Sequence, residues 1–162
     1  MLALRYLYVL ALVVWLGGIV MAGAIVAPSV FAVLELRDPG LGRVAAGQVF
    51  GEVLRKLHLL GYGAGAVMLL ILTILRLLGP RPLSYGIRVG IITAMLALTA
   101  YSGRVVAPRV EALQASVAGP MSRLEADDPR RVEFDALHLR STWLMSLVAA
   151  GGLLLAGWEA RE

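Results

Sequence analysis

The two histidines of the chain, His58 and His138, lie eighty residues apart, and each stands in the sequence Leu-His-Leu. Imidazole nitrogens bind Cu, Zn and Ni, and a pair of imidazoles on facing helices can hold haem iron axially. Two prolines, Pro28 and Pro108, have the same eighty-residue spacing and stand in the repeated sequence Val-Ala-Pro. Because all these matches share one offset, the pattern predicts a duplicated unit with both histidines in one layer near the axis between its halves.

A carboxylate stands close to the second histidine. Asp135 precedes His138 by three residues, on the same face of a predicted helix, and could accept the imidazole N–H and so orient the ring toward a metal. Two imidazoles are too few to complete a metal site alone. Four interpretations of the pair therefore stay open: a transition-metal site, a bis-histidine haem site, a site for a proton or anion, or hydrogen-bonded packing between helices.

The composition is that of a membrane protein. The chain has 162 residues, which fits one domain over residues 1–162, with 59% hydrophobic residues and a mean hydropathy of +0.81. The net charge of +4 comes mainly from arginines placed between apolar runs, a pattern typical of lipid headgroup contacts. We therefore expect a lipid bilayer as partner and no nucleic acid.

Four uncharged runs predict four transmembrane helices, each close to or above the ~20 residues that span a bilayer once its flanks are included. They cover residues 6–34, 57–75, 89–103 and 141–158. The predicted fold is an all-α integral membrane four-helix bundle of two repeated hairpins, residues 1–78 and 83–160 approximately. Pro28 and Pro108 are expected to break the first and third helices. Arg88 and Arg104 flank the short third run and are expected to reach the headgroups, with an interior orientation as the alternative for Arg104.

The connections differ in character. Gly79, Pro80 and Pro82 predict a tight turn, Asp38-Pro39-Gly40 and Ala118-Gly119-Pro120 predict turns on the other side, and residues 42–56 and 121–135 are expected to extend the helices beyond the membrane. Asp128 followed by Pro129 predicts the start of the fourth helix. Ten of the fifteen Lys and Arg residues lie on the side of the long connections. This excess of cations favours a cytoplasmic position for the long connections, in a bacterial-type inner membrane.

Small residues on the second predicted helix indicate close helix packing. Gly61 and Gly65 form a Gly-x-x-x-Gly pair, a motif that lets two helix backbones approach in lipid. We expect the pair to pack the bundle itself. The alternative is a contact with a second copy of the chain or another membrane protein.

Known catalytic patterns do not occur in the sequence. Cysteine is absent, no serine stands in a Gly-x-Ser-x-Gly setting, and no phosphate-binding loop opens a helix after a strand. The sequence therefore names no catalytic residue and favours a protein that is not an enzyme.

Several segments resemble one family. The most specific is Phe134-Asp135-Ala136-Leu137-His138-Leu139-Arg140-Ser141, with the spacing Phe-x-x-x-His-x-x-Ser; the others are Pro108-Arg109, Ala46-Gly47-Gln48-Val49-Phe50 and, in the first run, Trp15, Gly17-Gly18, Val26-Ala27-Pro28 and Phe31. Together they resemble the transmembrane protein 205-like family of four-helix membrane proteins over almost the whole chain. The resemblance implies a domain of unknown function in bacteria. Through the platinum-drug resistance linked to a eukaryotic relative, it also implies a role in metal or xenobiotic handling.

The sequence thus supports one leading function hypothesis and two alternatives. The leading hypothesis is a membrane protein that handles or transports a metal ion or small solute at the layer of His58 and His138. The first alternative is a bis-histidine haem-binding redox protein, and the second is a structural or assembly partner in the membrane. No cofactor is specified; a transition metal is the first candidate and haem the second.

Overall fold

Helices make up all the regular structure of the molecule as described by the computed structural model, which covers residues 2–78 and 84–161. Four of them are long and apolar enough to span a membrane: α1, Leu2–Arg37; α2, Gly42–Leu78; α3, Tyr85–Ala115; and α4, Pro129–Glu159. A short 3₁₀ helix, Met121–Arg123, lies between α3 and α4. The predicted all-α class and the four apolar helices are confirmed, and they indicate a multi-pass membrane protein.

The outer surface of the helices supports a lipid environment. Leu70 is 60% exposed, and Leu153 and Leu154 are 63% and 59% exposed. In water, a continuous apolar surface of this kind would drive association, whereas in a bilayer it is the ordinary outside of a helix bundle.

The four helices pack around a square. Helix α1 contacts α2, α2 contacts α3, α3 contacts α4, and α4 contacts α1. The two histidine-bearing helices, α2 and α4, therefore lie at opposite corners. The buried core comprises Tyr8, Leu12, Trp15, Met68, Ile71, Leu72, Ile92, Met95, Val148 and Leu155.

Glycines on α2 allow its neighbours to approach. A Cβ atom on Gly61 would lie 2.7 Å from Trp15 Nε1 on α1, and one on Gly65 would lie 2.6 Å from Leu96 Cδ2 on α3. The Gly-x-x-x-Gly pair is buried and packs α2 against both neighbours within one chain. A contact with a second copy through this pair would first have to displace Trp15 and Leu96.

The expected helix breaks at Pro28 and Pro108 do not occur, and this part of the prediction was wrong. Each proline follows a π-helical segment, Ala22–Val26 or Ser102–Val106, and the helix then continues to Arg37 or Ala115. The widened turn moves the earlier carbonyl groups away from the proline ring, so the clash that would break an α-helix is relieved. The two π segments are themselves eighty residues apart, the same offset as the sequence repeat.

The first connection on the far side from the termini is a short turn between two long helices. Asp38 Oδ1 accepts hydrogen bonds from Gly40 N at 2.8 Å and Leu41 N at 3.0 Å, and α2 begins at once at Gly42. A Cβ atom on Gly42 would collide with the backbone carbonyl oxygen of Leu34, so the turn requires glycine there.

The second long connection agrees with the expectation only in part. Gly119 has a φ of 141°, as the predicted turn requires, and Asp128 caps α4 by accepting from Arg130 N at 2.9 Å. Residues 42–56 are helical as expected, but the expected helix over 121–135 is interrupted between Arg123 and Pro129. The tight turn expected at residues 79–82 lies outside the described residues.

Candidate functional site

The strongest candidate site is a buried polar contact between α2 and α3. His58 is only 5% exposed, and its Nε2 lies 3.1 Å from the Oγ of Ser102, which is 1% exposed. The direction of this hydrogen bond depends on which imidazole nitrogen carries the proton. Because the contact lies inside an apolar bundle, each side chain gives the other a hydrogen-bond partner that neither the lipid nor the apolar core could supply.

Two more polar side chains extend this contact along the helices. Tyr62, one turn after His58, donates its hydroxyl hydrogen to Thr99 O at 3.4 Å. Thr99 is 3% exposed and donates its own hydroxyl hydrogen to Met95 O at 2.8 Å. We call His58, Tyr62, Thr99 and Ser102 the His58 cluster.

Gly103 sets the distance between the two helices at this cluster. A Cβ atom on Gly103 would lie 3.0 Å from the Tyr62 hydroxyl oxygen and 3.1 Å from both Cγ and Nδ1 of His58. These distances are shorter than ordinary carbon contacts, so a side chain at position 103 would require His58 and Tyr62 to shift by a few tenths of an ångström.

The π-helical segment of α3 begins within the cluster, at Ser102. The N–H of Ala107 bonds to Ser102 O, five residues earlier, and Pro108 has no N–H to offer to the carbonyls of Gly103 or Arg104. The widened turn and the proline thus adjoin the cluster along α3, and the carbonyls of Gly103 and Arg104 receive no N–H from Pro108. π-Helical segments of this kind occur frequently at functional sites.

The second histidine has different surroundings. His138 is exposed on α4, and its ring stacks on Phe134 with 6.4 Å between ring centroids. Asp135 is exposed as well, and no hydrogen bond joins it to His138 within the described part of the chain. By the repeat, the partner equivalent to Ser102 would be Ala22, which has no hydroxyl. The sequence pattern therefore repeats the histidine without repeating the residue that holds it.

The structure does not bring the predicted ligands into one cluster. His58 and His138 lie on helices at opposite corners of the bundle, one buried and one exposed. Among residues 2–78 and 84–161, no three His, Asp or Glu side chains are placed to hold a metal ion. What the arrangement offers at His58 is one imidazole and three hydroxyls, which are hydrogen-bonding groups of the kind that a polar solute or an ion needs.

The remaining predicted positions lie on three different helices. Pro28 and Pro108 are exposed and follow the two π segments, and Gly61 lies one turn after His58. Arg104 is exposed, so its side chain takes the outward orientation of the two expected, and its guanidinium carbon lies 6.0 Å from the Tyr62 ring centroid.

Sequence reasoning missed Ser102 and the buried ion pair at the other end of the bundle. Ser102 was recoverable, because the repeat aligns it with Ala22 and so marks a polar substitution inside an apolar run. Arg88 was expected to reach the headgroups; the structure shows that its side chain is only 3% exposed and pairs inside the bundle with Glu159, which also bonds Arg5 at 3.3 Å. The reason is that Glu159 supplies a counter-charge from α4, which the sequence of α3 cannot reveal.

Comparison with known proteins identifies a family but no activity. A family model described as Domain of unknown function (DUF4149) matches residues 10–118, which include most of α1, all of α2 and α3, and the whole His58 cluster. Neither a curated protein nor a solved structure matches the chain.

Proposed function

Because this chain belongs to the DUF4149 family, a domain of unknown function, we propose its function from the site itself: it is a multi-pass membrane protein that binds a small polar solute or ion at the His58 cluster. The observation that carries the proposal is the buried hydrogen bond of His58 to Ser102 at 3.1 Å, beside a π-helical segment of a lipid-spanning helix. The resemblance to the transmembrane protein 205-like family remains a prediction.

The cost of polar groups in lipid supports a binding role. Ionisable and polar side chains are rare within membrane spans and usually serve a solute, ion or proton path. The His58 cluster also lacks a counterpart in the other half of the chain, where Ala22 and the exposed His138 occupy the equivalent positions. Helix packing alone would not require the cluster, because the helices of the other half pack into the bundle without an equivalent polar cluster.

A polar solute or a singly held ion suits the cluster better than a fully coordinated transition metal. A closed metal site needs about four protein ligands of the imidazole, thiolate or carboxylate kind. The cluster has one imidazole, and its other side chains are hydroxyls. For the same reason nothing among the described residues supports bis-histidine haem, which needs both imidazoles on one iron.

The direct test is to identify what the protein carries after purification. The full chain is purified in mild detergent without added metal, and the same sample is examined by native mass spectrometry, elemental analysis and visible absorption. We expect one small molecule or ion per chain, lost in His58→Ala and reduced in Ser102→Ala, which installs the residue that the other half has at Ala22.

The exposed histidine provides the matched control. His138→Ala should keep the ligand if His58 acts without it, and should lose the ligand if the paired-histidine hypothesis is right. A folded His58→Ala variant, judged by an unchanged gel-filtration profile, that retains the ligand would overturn the proposal. Visible haem bands lost equally in both variants would favour the haem alternative.

A further inference from the structure

A cleft between α3 and α4 lies outside the His58 cluster. The cleft has a volume of about 350 Å³, within the range of small ligand pockets. Tyr101, Val105 and Arg109 line it from α3, and Glu133, Leu137 and Arg140 line it from α4. These residues recur every three to four positions on each helix, so they form two facing stripes.

The charged groups stand at different heights along the cleft. Arg109 Nε and Glu133 Oε1 form an ion pair of 2.7 Å at the rim, beyond the apolar run of each helix. Arg140 and Tyr101 lie at the deep end, roughly 10–12 Å further along the helices at 1.5 Å per residue. Arg140 directly precedes the apolar run of α4 and is exposed, so it stands where hydrocarbon meets the headgroup region.

The cleft is suited to a phosphate group with an apolar tail. Two guanidinium groups and one carboxylate give it a net charge of +1, which a phosphodiester would neutralise. Arginine binds phosphate oxygens through two parallel N–H donors. Val105 is 49% exposed and Val106 and Leu137 also line the cleft, so apolar surface lies beside the cations.

The other half of the chain lacks this combination. The positions eighty residues earlier than Tyr101, Arg109, Glu133 and Arg140 hold Met21, Ser29, Val53 and Leu60, none of which is charged. The apolar framework of the cleft is repeated, because Leu57 and Leu137 are both buried at equivalent positions, but its charges are not. The charges are therefore a property of this one cleft and not of the bundle architecture.

We propose that the α3–α4 cleft binds the headgroup of one anionic phospholipid, with Arg140 on the phosphate, Val105 and Leu137 beside the headgroup, and Arg109 at its outer, polar end. The lipid lies at the boundary of the hydrocarbon region, where Tyr101 packs beside it. This site does not depend on the His58 cluster, since none of that cluster lines the cleft.

The test uses the full chain in a neutral detergent and three probes: dioctanoyl phosphatidylglycerol, dioctanoyl phosphatidylcholine and inorganic phosphate. Affinities are measured by native mass spectrometry with titrated probe. We expect phosphatidylglycerol to bind about tenfold more tightly than phosphatidylcholine, because both lipids carry the phosphodiester but the trimethylammonium group of phosphatidylcholine adds a cation to a cleft that is already positively charged. Inorganic phosphate binding as tightly as phosphatidylglycerol would overturn the lipid assignment, and equal affinity for the two lipids would overturn the role of charge.

Matched variants locate the binding. Arg140→Gln should reduce phosphatidylglycerol affinity about tenfold, and Lys56→Gln, which removes a cation from the equivalent region of α2, should leave it within twofold. An unchanged affinity in Arg140→Gln, or equal losses in the two variants, would refute the site. Because the comparison of the two lipids on the unaltered chain needs no variant, the proposal can be tested even if a substitution prevents folding.

Discussion

Gly61 provides the sharpest test of how the bundle is packed, through the substitution Gly61→Ala. The added Cβ would lie 2.7 Å from Trp15 Nε1 and 3.0 Å from Trp15 Cε2. Trp15 is only 1% exposed, so its flat, rigid indole is enclosed by neighbouring groups. We expect the substitution to push α1 and α2 apart and to destabilise the bundle.

The same helix contains its own control. Gly63 has nothing within 4 Å of its Cβ position, so Gly63→Ala adds a methyl group in open space. Replacing glycine by alanine within a helix is favourable by roughly 0.5–1 kcal/mol, and this gain is common to both variants. Overpacking a core costs about 1–3 kcal/mol, so Gly61→Ala should be less stable than Gly63→Ala by about that amount.

Gly65 is expected to fall between the two. Its Cβ would lie 2.6 Å from Leu96 Cδ2, but leucine can change rotamer where an indole cannot, and Leu96 is only partly buried. We therefore expect the free energy of unfolding to be highest for Gly63→Ala, intermediate for Gly65→Ala and lowest for Gly61→Ala.

The assay is reversible unfolding of the detergent-solubilised protein by added SDS, followed by tryptophan fluorescence. Far-UV circular dichroism checks that helix content is unchanged, and gel filtration checks that the variants stay in the same oligomeric state. Equal unfolding midpoints for Gly61→Ala and Gly63→Ala would refute the packing of α1 on α2 described above.

Three further outcomes are expected. Glu159→Gln should lower the free energy of unfolding by about 1.5–3 kcal/mol, because Arg88 loses a buried charged partner, whereas Glu52→Gln on the exposed side of α2 should have a much smaller effect in the same SDS titration. The Arg130 guanidinium and backbone N–H hold the pKa of Asp128 at about 2, below its ordinary value of 3.8. The cap therefore stabilises α4 above about pH 4, and that contribution is lost as the pH falls through about 2. The protection factors of the Arg130–Val132 amides against hydrogen exchange, taken at a series of pH values, measure this loss, and protection factors that stay constant down to about pH 2 would contradict it. Asp128→Ala should accelerate exchange at the same amides at pH 7, whereas Asp128→Asn, which can still cap, should change it little. Equal exchange in the two variants would show that the cap is not the cause.

The candidate site was only partly predictable from the sequence. The eighty-residue repeat drew attention to His58 and to Pro108, both of which belong to or adjoin the His58 cluster. The repeat also suggested that His138 would have the same surroundings as His58, but His58 is buried and His138 is exposed. A histidine is held in a helix interface only if the neighbouring helix presents a hydrogen-bonding partner, and Ser102 does this for His58 whereas Ala22 cannot do it for His138.

What the sequence determined by itself was the set of local properties. Four apolar runs require four helices, because lipid satisfies no backbone hydrogen bonds, and Asp38, Gly119 and Asp128 mark turns and a cap through chemistry that acts within a few residues. Only the tertiary structure decided which face of each helix turns inward. That choice buried Arg88 against Glu159, placed Gly61 on Trp15 and left His138 outside, because each outcome depends on a partner far away in the chain.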